Sequence, residues 1–157
     1  MSHPDYKRLA AQLRALLADE SDPLANASNF VALIYNAIDD INWLGIYVLR
    51  NKELVLGPFQ GKPACVRLAV GSGVCGTAAA SQQTQRVADV DAFDGHIACD
   101  PDSRSEIVVP LIVHSELVGV LDIDSASTDR FSADDQVGIE LLCAAYCEKI
   151  AADKRFI

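Results

Sequence analysis

Cys65, Cys75 and Cys99 stand among glycines, small residues and short apolar runs. Cys75 lies in Gly71-Ser72-Gly73-Val74-Cys75-Gly76-Thr77 and Cys99 in Phe93-Asp94-Gly95-His96-Ile97-Ala98-Cys99-Asp100-Pro101. Thiols on irregular segments serve reactivity more readily than packing, and a cysteine cycles through oxidation states by itself. Asp122 and Asp124 form the second feature. Spaced i and i+2 on a strand, they project from one face, while Leu121 and Ile123 point the other way into a core. Glu106 opens the preceding strand. If the two strands pair as a hairpin, the start of one lies beside the end of the other, so Glu106 reaches the same corner. Three such carboxylates repel one another, and at least one should hold its proton to neutral pH. The spacing alone also fits an ordinary solvated strand end.

Each cysteine has its own local reading. Cys65 alternates with Ala64 and Val66 and reads as a small core residue of a strand. Cys75 sits where a glycine loop meets a helix start, an environment that lowers a thiol pKa. Cys99 lies in a long aperiodic segment. Cys143 and Cys147 are i and i+4 on the last helix, where parallel Cα–Cβ vectors make a disulfide poor, and they read as packing residues. His96, three residues before Cys99, could join the thiols in a zinc site. The spacing matches no zinc pattern and the paired-cysteine deaminase signature is absent, so we expect no metal. Gly71-Ser72-Gly73 lacks the later glycine and Lys-Ser/Thr of nucleotide-binding loops.

The 157 residues suit one domain, 1–157, and half of them are hydrophobic, enough to bury a core without disulfides or a structural metal. The formal net charge of −9 disfavours nucleic acid and anionic membrane partners. No signal peptide or membrane-spanning run is visible, which points to the cytoplasm. An odd number of cysteines, five, then argues against a static disulfide framework and for a transient, catalytic one.

The elements that must position these groups follow from periodicity. Tyr6, Leu9, Leu13, Leu16 and Leu17 form a helical stripe, and Pro23 opens a second helix carrying Leu24, Ala27, Phe30, Val31, Ile34 and Ile38. Strands are expected over 43–50 and 53–56, joined at Asn51-Lys52, then over 64–70 and 86–90. A short Ala-rich helix follows the glycine loop. Residues 91–104 show no period, and a loop of that length is usually functional or disordered. Strands over 106–114 and 117–124 turn at Ser115-Glu116, and Ser132 caps a final helix to about residue 152. The fold class is α+β: a mostly antiparallel sheet of about six strands with the N- and C-terminal helices on one face. Apolar stripes on those helices suit a homodimer as well as packing on the sheet.

Several motifs together resemble the free methionine-(R)-sulfoxide reductases, enzymes built on a GAF domain. They are Gly61-Lys62-Pro63-Ala64-Cys65, Gly73-Val74-Cys75-Gly76-Thr77-Ala78-Ala79, Gln82-Gln83-Thr84-Gln85, the Cys99 segment, Ser105-Glu106-Ile107-Val108-Val109-Pro110 and Gly119-Val120-Leu121-Asp122-Ile123-Asp124-Ser125. The resemblance implies a GAF-like fold with Cys99 as the attacking thiolate, Cys65 as the main resolving cysteine in a Cys65–Cys99 disulfide, and Cys75 as an auxiliary thiol. It implies that Glu106, Asp122 and Asp124 bind and polarise the substrate, that Trp43 borders the S-methyl pocket with Tyr47 a second candidate for that role, that no cofactor is held, and that thioredoxin regenerates the dithiol. The chemistry is self-consistent. Sulfoxide reduction needs a thiolate and an acid at one place, and the oxidised thiol must be rescued by a second one. The same acidic corner disfavours a free Cys99 thiolate. The competing expectation is a non-catalytic GAF module, sensing a small molecule or thiol redox state. Two expectations weigh against it: the chain ends soon after its last helix with no output domain, and carboxylates add nothing to a simple redox switch.

Overall fold

The computed structural model describes residues 3–157. Two helices open the chain, α1 (Tyr6–Leu17) and α2 (Pro23–Ala37). Each starts where an aspartate caps it: the Asp5 carboxylate accepts from Arg8 N at 3.0 Å and the Asp22 carboxylate from Ala25 N at 2.9 Å. Pro23 occupies the first turn of α2, where its missing N–H costs no helical bond. There follow β1 (Trp43–Arg50), β2 (Glu53–Gln60), β3 (Arg67–Ala69), α3 (Gly73–Ser81), β4 (Gln85–Val87), a 3₁₀ turn (Val90–Ala92), β5 (Ser105–Val113), β6 (Glu116–Ser125) and α4 (Ala133–Asp153).

The six strands form one sheet in the order β3-β2-β1-β6-β5-β4, and all five neighbouring pairs are antiparallel. The β1–β2 turn is Asn51-Lys52, with both residues at positive φ, the conformation that matches strand twist in two-residue hairpins. The β5–β6 turn has the same form at His114-Ser115, one residue earlier than the sequence suggests.

Side-chain alternation divides the molecule into two apolar layers. On one face, α1, α2 and α4 cover Leu44, Ile46, Val48, Ile107, Val109, Leu111, Leu121 and Ile123. There Phe30 of α2 stacks on Tyr146 of α4 at 4.1 Å between ring centroids. Ser132 and Asp135 cap α4 reciprocally, and buried Asp135 also accepts from Tyr6 OH (2.7 Å) and Arg130 Nη1 (3.1 Å), tying α1 to the start of α4. Cys143 and Cys147 pack in this layer as free thiols. On the other face, α3 lies over Trp43, Tyr47, Leu54, Leu68, Val108 and Val120. The thiols and carboxylates of interest belong to this second layer. No helix among the described residues is long and apolar enough to cross a membrane.

Two edge strands are shorter than their sequence suggests. β3 covers Arg67–Ala69 instead of 64–70, and β4 covers Gln85–Val87 instead of 86–90. Cys65 therefore lies on irregular chain before β3 and is not an alternating strand residue. Side chains of β1 hold that chain in place of a ladder: Trp43 Nε1 donates to Lys62 O at 3.0 Å and Tyr47 OH to Cys65 O at 2.8 Å.

Candidate active site

Strand register assembles the acidic corner. Glu106 on β5 lies opposite Asp124 on β6, and Asp124 lies opposite Trp43 on β1. The next row with the same facing is Val108, Asp122 and Gly45. Directly opposed side chains on one face are in contact range, and diagonal ones remain within reach of long side chains. Gly45 is required here: a Cβ at that position would run into the Trp43 ring, which lies across it and stacks on Phe59 with centroids 5.4 Å apart. The ring so held, with Tyr47 beside it, forms an apolar wall of a cavity whose floor is Glu106, Asp122 and Asp124.

The thiols reach this cavity from above. Cys65 and Cys99 are joined in a disulfide spanning 34 positions of sequence, with Cα atoms 5.6 Å apart. Cys99 lines the cavity, and the segment bearing Cys65 contributes Pro63 and Ala64 to it. The aperiodic loop over 91–104 is fastened at several points. Asn42 Nδ2 donates to Asp100 Oδ2 (3.2 Å) and Ser103 Oγ (3.3 Å), and Arg104 N donates to Ser125 O (2.7 Å). Lys62 Nζ bridges to Asp102 Oδ2 at 2.7 Å, linking the two cysteine segments at the surface. The start of α3 supplies another wall, including Ser72, Val74 and Cys75.

Burial sets the electrostatics. Glu106 is 6 % exposed; burial pushes its carboxyl well above the usual carboxylate range, and Asp122 and Asp124 push it further. Asp124, facing the cavity, is raised well above its ordinary value by burial first, then by Asp122 and Asp100. Asp122 is pushed up to about 6 by burial, partly offset by hydrogen bonding from Glu106 and Cys75. Asp122 therefore ionises first, and its neighbours hold their protons longer. One carboxylate oxygen, Asp122 Oδ1, is buried without a hydrogen-bond partner. An orphaned acceptor of this kind is expected where a donor arrives with a ligand.

Cys75 corrects one expectation. Its thiol is pushed well above the ordinary range, not lowered, by burial first and then by Asp122, Glu106 and Asp124. A helix N-terminus stabilises an anion by only about 0.3–1 kcal/mol at exposed sites. Enclosure beside three carboxyl groups outweighs that. Cys75 Sγ lies 3.9 Å from Glu106 Oε1 and serves as a weak donor to it.

Cys75, Glu106 and Asp122 are also the one place among the described residues where three metal-capable ligand atoms lie within 4.8 Å of one another. Metal ligation requires deprotonated donors. Without an ion, burial keeps protons on Cys75 and Glu106, which suits the three groups to proton transfer. His96 does enter the cavity, but as a neighbour of Glu106, with Nε2 3.8 Å from Oε2. Asn42, Asp100 and Ser103 escaped the sequence reading. Only the aperiodicity of 91–104 hinted that something must pin that loop.

The arrangement joins a disulfide-bonded cysteine pair, a proton-holding acid group and an aromatic wall at one cavity. The chain matches the GAF domain family over residues 9–151. It is 53% identical to the free methionine-R-sulfoxide reductase of Escherichia coli (strain K12), covering 94% of this chain and 88% of that protein. The crystal structure of the free methionine-R-sulfoxide reductase from Neisseria meningitidis in complex with its substrate superposes with a TM-score of 0.91 at 39% identity, covering 98% of this chain and 95% of that one. A Burkholderia vietnamiensis protein described as a GAF sensor superposes equally well, with a TM-score of 0.91 at 54% identity and 94% of each chain covered.

Proposed function

The chain belongs to the GAF-domain family and, within it, to the free methionine-R-sulfoxide reductases, and from that premise we propose that it reduces free methionine-(R)-sulfoxide to methionine through Cys99 and Cys65. The observation that carries the reading is the Cys65–Cys99 disulfide lying over the buried Glu106–Asp122–Asp124 group. A sensor that only binds has no need of a proton-holding carboxyl beside a redox pair.

Each residue has a part. The substrate's S-methyl group packs on Trp43 and Tyr47. Its ammonium is met by ionised Asp122, whose unpartnered oxygen is free to accept, and by Asp124. Glu106 donates a proton to the sulfoxide oxygen. Cys99 attacks sulfur as a thiolate, takes the oxygen as a sulfenic acid and releases methionine. Cys65 then attacks Cys99 Sγ, expelling water and closing the disulfide. Cys75 keeps its proton and acts as an auxiliary thiol beside Glu106. A dithiol reductant must reopen the disulfide, and thioredoxin is the partner we assign to that step in the cytoplasm. Residues 1–157 act as one catalytic domain with no cofactor. Leu16 and Leu24, exposed on α1 and α2, are the apolar residues a homodimer would use.

The test is incubation with the separated diastereomers of free methionine sulfoxide and a dithiol. Methionine should form from the R form and not in the Cys99→Ser protein. Absence of product from the unsubstituted protein would remove the reading, and product from Cys99→Ser would reassign the nucleophile.

A further inference from the structure

His96 precedes Cys99 by three residues, and both side chains line the same cavity. The His96 side chain is 15% exposed and that of Glu106 8%. His96 is thus the outer member of the contact, nearer to water, and Glu106 the inner one. Its place is fixed by a turn in which His96 N donates to Phe93 O at 3.2 Å and Gly95 takes a φ of +77°, open to glycine. The remaining titratable groups around the pair are Tyr47 from β1, Asp122 and Asp124 from β6, Cys75 from α3 and Asp100 from the Cys99 segment. Asp122, pushed up to about 6, can exchange a proton with Glu106 but is itself buried, so it redistributes protons inside the site, whereas His96 is a neighbour of Glu106 that also lies toward water. Among the described residues lining the cavity there is no lysine or arginine.

The overall reaction leaves Glu106 short of a proton. The sulfoxide oxygen leaves as water and takes two protons, one of which comes from Glu106. Cys99 and Cys65 each lose a thiol proton as the S–S bond forms, and sulfur of the substrate gains the electron pair that the two thiols give up. One thiol proton, or one from solvent, must therefore return to Glu106 before the next cycle. Glu106 is enclosed, so the return needs a carrier. The contact with His96 is present with Cys65 and Cys99 joined, the state in which the acid has just been used. A gap of 3.8 Å is closed to hydrogen-bond distance by a small ring rotation.

Resting on the sulfoxide-reductase reading, we propose that His96 reloads Glu106 with a proton between turnovers. It acts through Glu106 as a positioning and relay residue and does not touch the substrate. The relay is separable from the chemistry, because the first turnover of a resting enzyme begins with Glu106 already protonated. The experiment compares pre-reduced wild type with His96→Asn and, as a second variant, His96→Gln. The first equivalent of methionine is timed with stoichiometric methionine-(R)-sulfoxide. Steady-state turnover is then measured with saturating dithiothreitol from pH 6 to 9. The expected result is a first turnover within about twofold of wild type. Steady-state kcat should fall about hundredfold or more, as loss of an acid–base group does. KM should stay unchanged, the alkaline limb should move to lower pH, and added imidazole should restore the rate. Steady-state rates equal to wild type in both variants, a deficit already present in the first turnover, or no recovery with imidazole would each overturn the relay. Wild type that forms no methionine in its first turnover would instead remove the sulfoxide-reductase reading itself.

Discussion

Replacing Asp122 by asparagine should stabilise the protein while impairing its activity, and the gain should depend on pH in one direction. Burial lifts the Asp122 carboxyl from an ordinary 3.8 to about 6. Below about pH 3 the carboxyl is protonated both folded and unfolded, and nothing is lost. As pH rises toward 6 the unfolded chain releases the proton while the folded one keeps it, so stability falls across that window and stays lower above it. At about 1.4 kcal/mol for each tenfold change in proton affinity, the loss above pH 6 is about 3 kcal/mol. Asp122→Asn removes that burden with little change of volume. It also takes the anionic neighbour away from Glu106 and Asp124, whose own elevation depends partly on it. For a chain of this length, about 3 kcal/mol corresponds to roughly 6–12 °C in Tm. Thermal and urea unfolding of both oxidised proteins at pH 3 and pH 8 would measure it. The gain should appear at pH 8 and vanish at pH 3, while kcat/KM falls roughly tenfold or more through the missing charged contact to the ammonium. A variant no more stable than wild type at pH 8, or equally stabilised at both pH values, would refute the electrostatic account of the cluster.

Cys65→Ser should yield about one equivalent of methionine per chain and then stop under thioredoxin, whereas full turnover would move the resolving role to Cys75. Timed alkylation of the oxidised native protein at pH 8 should leave Cys75 and Cys143 unlabelled, because both are buried and their thiols are pushed well up; rapid labelling of Cys75 would contradict its enclosure. Trp43→Ala should lower stability by about 3–5 kcal/mol, since the ring is 3 % exposed and stacked, and should raise KM. Asp135→Ala should cost about 3–5 kcal/mol at neutral pH, because it leaves the Arg130 charge without its carboxylate partner, with only the Asp39 carbonyl to donate to, and removes half of the α4 cap. In the wild type, hydrogen bonds from Ser132 and Tyr6 and the Arg130 charge outweigh burial and hold Asp135 low, so its contribution is present at neutral pH and fades only as pH falls below about 4.

Most of the positioning of the acid group was legible in sequence, because strand alternation and hairpin pairing are local rules. Asp122 and Asp124 share a face, Leu121 and Ile123 face the helices, and Glu106 meets Asp124 across the hairpin. The element order and the capped start of α4 followed from the same local signals. Where long-range contacts override local ones, the reading fell short. Cys65 looked like a strand residue, but its segment is fixed by Tyr47, Trp43 and the disulfide, none of which its neighbours in sequence reveal. The Cys75 thiol was expected to be lowered by a helix start and is raised by carboxyl groups that only the sheet brings near. His96 carried a signal within its motif, but its partner Glu106 is ten residues away across a fold that spacing does not encode.

The central claim is that one pair of thiols supplies both electrons in front of this acid group. Fully reduced protein mixed with one equivalent of free methionine-(R)-sulfoxide, quenched with an alkylating agent and mapped by mass spectrometry, tests it most directly. The account predicts one methionine per chain, the loss of two titratable thiols, and a single new disulfide joining Cys65 to Cys99, with Cys75, Cys143 and Cys147 recovered as free thiols. Methionine formed with Cys99 still reduced, or a disulfide closed through Cys75 in place of Cys65, would contradict it.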